Sequence, residues 1–194
     1  MPPDDDRTPQ PTLRTERLVL RPFVPADAAR IQELAGNPRV AETTLNIPHP
    51  YPDGAAEAWI AGHRPAFDRG ENIVFAIVTD GIGLVGAINL RLELRHLRGE
   101  VGYWIGEAYW GRGYATEALR AVLDYGFGPV GLNRIQAKHL PRNAASGRVM
   151  QKAGMIWEAT LRQYLRKDGR FEDLESYAML RSDRPDEARQ HPSR

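Results

Sequence analysis

The 194-residue chain contains no cysteine. That excludes a disulfide framework and a thiol nucleophile, so any group it transfers must move without a cysteinyl intermediate. Lysine is nearly missing too: Lys138, Lys152 and Lys167 are the only three among 26 basic residues. A GC-rich coding sequence accounts for such an imbalance, and phosphate recognition by planar guanidinium forks has to be argued position by position. Neither charge is in excess, since the net charge is +1, so no global field advertises nucleic acid or an anionic membrane as a partner. There is no apolar run of about 18 residues, the least that crosses a bilayer as a helix. Met1–Gln10 has no apolar stretch either, which argues against a secretory signal. The five histidines include no H-x-x-x-H pair, so no metal is expected. Together these absences point to a cytoplasmic protein.

What is present fits one globular domain. Hydrophobic residues make up 42% and charged residues 26% of the chain, ordinary values for a folded protein. A body of about 150 residues buries roughly 68–70% of its unfolded surface, enough for a real core. Residues 1–11 and 182–194 are polar, charged and proline-containing, and both read as disordered tails, leaving a domain over residues 12–181.

Within that domain Arg17–Phe23 alternates like a strand stopped by Pro22 and Pro25. Ala28–Ala35 and Ala55–Phe67 read as helices. Asn72–Thr79 is a buried strand, Asp80-Gly81 a tight turn, and Leu84–Leu94 and Glu100–Ile105 are further strands. At Ala115–Tyr125 the period changes: Ala115, Ala118, Leu119, Val122 and Leu123 share one helical face. Arg134–His139 is a strand, and Ala144–Ala153 a helix capped by Asn143. Strands Glu158–Arg166 and Phe171–Leu180 follow, joined through Asp168-Gly169, which predicts a two-residue type I′ turn. The fold class is mixed α/β (α+β) rather than strictly alternating βαβ.

Two glycine motifs compete for a phosphate. Gly81-Ile82-Gly83-Leu84-Val85-Gly86 matches G-x-G-x-x-G, but a dinucleotide site needs that motif to open a helix. Here it opens a strand, and a hairpin turn is the better reading. Trp110-Gly111-Arg112-Gly113-Tyr114-Ala115-Thr116 does sit between a strand and an amphipathic helix. Glycines there let backbone N–H groups approach an anion closely, at a helix end whose dipole favours negative charge. Arg112 either adds a charge-assisted contact or points to solvent. No Gly-Lys-Ser/Thr follows, so a P-loop is excluded.

Glu100-Val101-Gly102-Tyr103-Trp104-Ile105 followed by Tyr109-Trp110-Gly111-Arg112-Gly113-Tyr114-Ala115-Thr116-Glu117-Ala118 resembles the acetyl-CoA-binding core of the GNAT superfamily of N-acetyltransferases. Trp110 stands where the superfamily usually has Gln or Arg. Four more blocks are similar to the RimJ/RimL-type branch, whose members include ribosomal-protein-alanine N-acetyltransferases. These are Leu13–Pro22, Asn143–Met150 with Lys152–Met155, Glu158–Arg162 (Ala159 in a glycine position), and Asp173 with Tyr177. The resemblance spans Leu13–Arg181.

It implies a GNAT fold: a six- to seven-stranded mixed sheet splayed between two central parallel strands, Glu100–Ile105 and Arg134–His139, and flanked by about four helices. It also implies acetyl-CoA as co-substrate. The pantetheine arm would pair with the backbone of Trp104 and Ile105, the pyrophosphate would rest on amides of Gly111, Arg112, Gly113, Tyr114, Ala115 and Thr116, and Asn143 would touch the arm from the far side.

The implied reaction is direct attack of an amine on a thioester, which needs a free amine, a stabilised oxyanion and help for the leaving thiolate. Glu100 stands where the resemblance places the base; a solvated strand-end carboxylate is the competing reading. Ser146 is the candidate at the thiolate, since Met150 occupies the position where many relatives carry a tyrosine; a first-turn serine bonded to nearby backbone is its alternative. The expected acceptor is a protein or peptide N-terminus, with a small-molecule amine or a non-catalytic acetyl-CoA-binding module as alternatives. Arg91, Arg95, His96 and Arg98 form either an acceptor surface for an acidic partner or a solvated hairpin. A homodimer is possible by family analogy.

Overall fold

The structure, a computed structural model, describes residues 9–184. The outer parts of the two expected tails, residues 1–8 and 185–194, lie outside the described residues. Between those limits the ordered chain starts before residue 12, where Gln10 donates to the Val74 carbonyl (2.7 Å), and continues past 181 in a single 3-10 turn, Arg181–Asp183.

The elements run β1 (Leu13–Arg14), β2 (Leu18–Arg21), α1 (Ala28–Ala35), α2 (Pro38–Thr43), α3 (Ala55–Ala61), α4 (His63–Asp68), β3 (Asn72–Thr79), β4 (Gly83–Glu93), β5 (Arg98–Ile105), α5 (Tyr114–Phe127), β6 (Arg134–His139), α6 (Ala144–Lys152), β7 (Ile156–Lys167) and β8 (Arg170–Leu180). One sheet holds all the strands in the order β1-β2-β3-β4-β5-β6-β8-β7. Every neighbouring pair is antiparallel except β5–β6. That exception follows from connectivity: α5 carries the chain back across one face, and a parallel pair needs such a crossover.

Hydrophobic burial occurs on both faces. Ala118, Leu119, Val122, Leu123 and Phe127 of α5 pack with Phe75, Ile88, Leu90, Val101, Ile135 and Met150 in the larger cluster. Ala28, Ile31 and Ala35 of α1 and Ala56 of α3 cover Ala76 and Leu84 on the other face. α5 begins one residue before and ends two after the periodic stretch that predicts it.

Three details differ from the sequence reading. The sheet has eight strands rather than six or seven, because Leu13 and Arg14 fold back to pair with Leu20 and Val19. Ala55–Phe67 is two helices rather than one: Pro65 has no N–H to return to the Ala61 carbonyl, and the chain re-starts at Gly62. α2 was not anticipated, although Asn37-Pro38 carries its start signal, the Asn37 side chain accepting from the Arg39 N–H (2.9 Å). With these, the described residues hold six α-helices where about four were expected. Both turn expectations hold. Gly83 opens β4 rather than a helix, and Asp168 and Gly169 both have positive φ (49° and 81°) between the paired Lys167 and Arg170.

His63 in α4 is 9% exposed, set edge-on to Trp59 (ring centroids 4.4 Å apart) and beside Phe23 (5.4 Å). Neither ring nitrogen has a partner among the described residues, and burial lowers its pKa to about 4. An unfolded histidine titrates near 6.5, so between about pH 4 and 6.5 the unfolded chain binds more protons and stability rises with pH. The full contribution is present above pH 6.5 and is lost as pH falls towards 4. We expect urea denaturation of the wild type to lose about 2–3 kcal/mol more than His63→Phe between pH 7.5 and pH 4. Parallel pH curves for the two proteins would show that His63 is not held neutral.

Candidate functional site

β5 and β6 pair for four residues and then part. Arg98–Val101 match Arg134–Ala137, yet β5 runs on to Ile105 and β6 to His139. Gly106 donates to the Val85 carbonyl (2.9 Å), and in an antiparallel ladder the backbone direction alternates. Gly102 and Trp104 therefore turn their backbone groups towards β4, while Tyr103 and Ile105 turn theirs into the gap. The Ile105 carbonyl accepts from the Trp110 indole N–H (2.7 Å). Of the two residues expected to offer backbone to the gap, Ile105 does so, and Tyr103 takes the place of Trp104. The Trp104 side chain packs with the smaller core cluster.

The gap is bridged by side chains. The Tyr103 hydroxyl lies 2.8 Å from Ser146 Oγ and donates to the Ser146 carbonyl (3.1 Å). Ser146 sits in the first turn of α6, where Asn143 accepts from its N–H (3.2 Å) as the helix cap. Asn143 also donates to the Thr43 carbonyl (3.0 Å), joining α6 to the end of α2. Met150, one turn further, is core and 1% exposed. Tyr103 is thus the only phenol hydrogen-bonded to Ser146 among the described residues, and burial raises its pKa above the usual tyrosine value.

The glycine loop leads into α5. Gly111 and Gly113 have φ of 75° and 81°, in the left-handed region where a side chain costs roughly 1–2 kcal/mol. Gly113 is the N-cap, and no side chain caps the helix, so the Tyr114, Ala115 and Thr116 N–H groups have no intrahelical acceptor. These three donors and the helix dipole suit a phosphate. Arg112 spends part of its guanidinium on its own loop, donating to the Ala108 carbonyl (3.2 Å).

A network that sequence reasoning missed holds this loop. Glu117 in α5 accepts from Thr15 Oγ1 (2.6 Å), the Arg17 N–H (2.9 Å) and Arg17 Nε (2.7 Å), while Arg17 Nη1 donates to the Arg112 carbonyl (3.0 Å). Burial alone would raise the Glu117 pKa, but these bonds and the Arg17 charge outweigh it and hold the carboxyl below its ordinary value. The available signal was the acid at Glu117 in a helix start; its partners lie about 100 residues away, beyond any local pattern.

Glu100 lies on the opposite face of β5 from Tyr103, since alternate residues point to opposite faces. Gln136 donates to its Oε2 (2.8 Å) and Lys138 forms an ion pair with the same oxygen. Burial would raise the Glu100 pKa, but Lys138, Gln136 and the nearby Arg91 charge outweigh it and keep the carboxyl below its ordinary value. Oε1 makes no hydrogen bond among the described residues. The structure therefore places Ser146 and Glu100 on either side of the gap's first residues rather than in direct contact. No cluster of three metal-ligating side chains occurs among the described residues, and no described helix is long and apolar enough to cross a membrane.

Comparison with known proteins bears on the family and the fold. The acetyltransferase (GNAT) domain profile matches residues 17–156. The chain is 32% identical over 174 residues to the uncharacterized N-acetyltransferase p20 of Bacillus licheniformis, covering 88% of this chain and 96% of that protein. It is 28% identical over 172 residues to the ribosomal protein uS5-alanine N-acetyltransferase of Escherichia coli (strain K12), covering 85% of this chain and 88% of that one. Among solved structures, Mycobacterium smegmatis RimJ in complex with CoA-disulfide superposes with a TM-score of 0.82 at 27% identity, over 91% of this chain and 90% of that one.

The Arg17–Glu117 network generates a test. Glu117→Ala removes three hydrogen bonds that hold the glycine loop; with the site half-exposed we expect a stability loss of about 1 kcal/mol and roughly tenfold weaker binding of coenzyme A by calorimetry. An unchanged dissociation constant would separate the loop from cofactor binding.

Proposed function

The chain belongs to the GNAT acetyltransferase family, in its RimJ/RimL-like branch, and from that membership we propose that it acetylates the N-terminal α-amine of a protein or peptide. As an acetyl-CoA-dependent N-acetyltransferase it draws on acetyl-CoA for an acetyl group activated as a thioester. The observation that carries the finer reading is the state of Glu100: ionised, tied through Oε2 to Lys138 and Gln136, and open only at Oε1.

A carboxylate held below its ordinary pKa is a weak proton acceptor, so Glu100 suits an amine that is already partly free. A protein α-amine, with a pKa of about 7.7–8.0, is roughly a tenth free base at pH 7, whereas a lysine amine near 10.4 is free to about 0.04%. Glu100 Oε1 accepts a hydrogen bond from the amine, orients its lone pair towards the gap, and passes its proton on to water. The N–H groups of Tyr103 and Ile105 face the gap, where a carbonyl oxygen gaining negative charge would find donors. On the far side Ser146 Oγ, held 2.8 Å from the Tyr103 hydroxyl, turns its hydrogen to the departing sulfur, which leaves as the thiolate and takes its proton from water. The new C–N bond forms as the C–S bond breaks, and no covalent enzyme species is needed. The glycine loop, through Gly111 to Thr116, holds the pyrophosphate, with Asn143 keeping Ser146 in register.

The uS5-alanine acetyltransferase name of the 28%-identical relative supports a peptide acceptor. A small-molecule amine would place the acidic limb of the pH profile differently, which makes the two readings separable. For peptide acceptors we expect kcat/KM, followed by thiol release, to rise with pH up to about 7.7–8.0 and then level, and Glu100→Gln to lower the plateau without moving that limb. A limb continuing towards pH 10 would indicate a lysine-like amine. Ser146→Ala and Tyr103→Phe should each lower kcat by about tenfold to a hundredfold, the double variant losing little more than the single ones because Tyr103 acts only by positioning Ser146 Oγ. Independent, multiplicative losses would separate Tyr103 from Ser146.

A further inference from the structure

The sheet face that carries Glu100 is polar and open. Arg91 on β4 stands directly opposite Glu100 on β5, and both line an open cavity of about 190 Å³ together with Glu93, Arg98 and Gln136. The cations here are not equivalent. Arg98 is bound to Glu93 (2.6 Å from Nε), and Lys138 to Glu100. Arg91 makes no hydrogen bond or ion pair among the described residues; its charge acts on Glu100 across the strand pair, and the Oε2 of Glu100 is committed to Lys138 and Gln136. Two residues along β5, Gly102 is exposed and on the same face, so a bare strip of backbone leads from Glu100 towards the gap.

We propose that Arg91 is the specificity residue of the acceptor site, taking the carboxylate of an acidic second or third residue of an acceptor peptide whose N-terminal amine sits at Glu100 Oε1. The inference rests on the peptide-acetylating reading above and adds the charge of the substrate. Opposed Cβ atoms in an antiparallel pair are about 4.5–5.5 Å apart, and an extended peptide advances about 3.3 Å per residue. An amine between Glu100 and Gly102 therefore brings the side chain of residue two or three within reach of the Arg91 fork. Guanidinium and carboxylate meet there bidentately. A polyamine or a basic N-terminus would instead carry a cation against the Arg91 guanidinium.

The test compares peptides that begin Ala-Glu, Ala-Gln and Ala-Lys and are otherwise identical, as acceptors for the full-length wild type and for Arg91→Gln and Arg91→Glu. The wild type should prefer Ala-Glu over Ala-Gln by about tenfold in kcat/KM at low salt, with Ala-Lys poorer still, and the preference should shrink as salt rises. Arg91→Gln should bring Ala-Glu down to the Ala-Gln value while keeping the wild-type melting temperature and its rise with acetyl-CoA, and Arg91→Glu should reverse the order. Peptides acetylated without regard to charge, or a preference that survives in Arg91→Gln, overturn the Arg91 assignment and leave the peptide reading standing. Acetylation of small amines such as free glutamate with no turnover of any peptide overturns both.

Discussion

The whole arrangement depends on one interruption of a hydrogen-bond ladder. Parallel strands β5 and β6 agree in register for four residues and then separate, although buried backbone N–H and C=O groups are costly to leave unpaired. The protein offsets that cost unevenly. It fills one carbonyl with the Trp110 indole and bridges the opening with Tyr103 and Ser146, while the remaining donors face a slot of strand-like geometry. An extended, amide-bearing arm such as pantetheine suits that slot for the reason a further strand would.

In the proposed mechanism the interruption also separates the two halves of the chemistry. Alternation along β5 puts Glu100 on one face and Tyr103 on the other, so the proposal has the amine oriented from one side and the sulfur met from the opposite side. α5 and α6 hold the second face; α1 to α4 leave the Glu100 end of the first face open. The same crossover that makes β5 and β6 parallel supplies α5, whose uncapped N-terminus suits phosphate. Topology, slot and anion site thus have a common origin.

Much of this was legible along the chain. Period-two and period-3.6 patterns located nearly every long element, Asp168-Gly169 announced its turn, and context separated the glycine loop at Gly111 and Gly113 from its imitation at Gly81–Gly86. Short elements were less visible: β1 is two residues long, and no periodicity survives at that length. Glu100 and Ser146 were found through motif resemblance. Tyr103 and Arg17 were in plain sight but unassigned, because their partners lie 43 and 100 positions away, while Arg91 was named among the cations of an acceptor surface or a solvated hairpin without being told apart from Arg95, His96 and Arg98.

The sequence by itself determined the kinds of chemistry open to this protein. Without cysteine it has no thiol to carry an acyl group; with glycines at 111 and 113 it can form a left-handed loop at a helix start; with apolar alternation it builds a sheet covered on both faces. Only the tertiary structure decided which groups share a charge and which stand alone. Lys138 lies two residues from Gln136 on β6, and both reach one oxygen of Glu100 only because the strands are parallel in that register. Pairwise electrostatics depend on separation and burial, so the lowered pKa of Glu100 and the position of Arg91 opposite it are properties of strand packing that no local pattern of residues encodes.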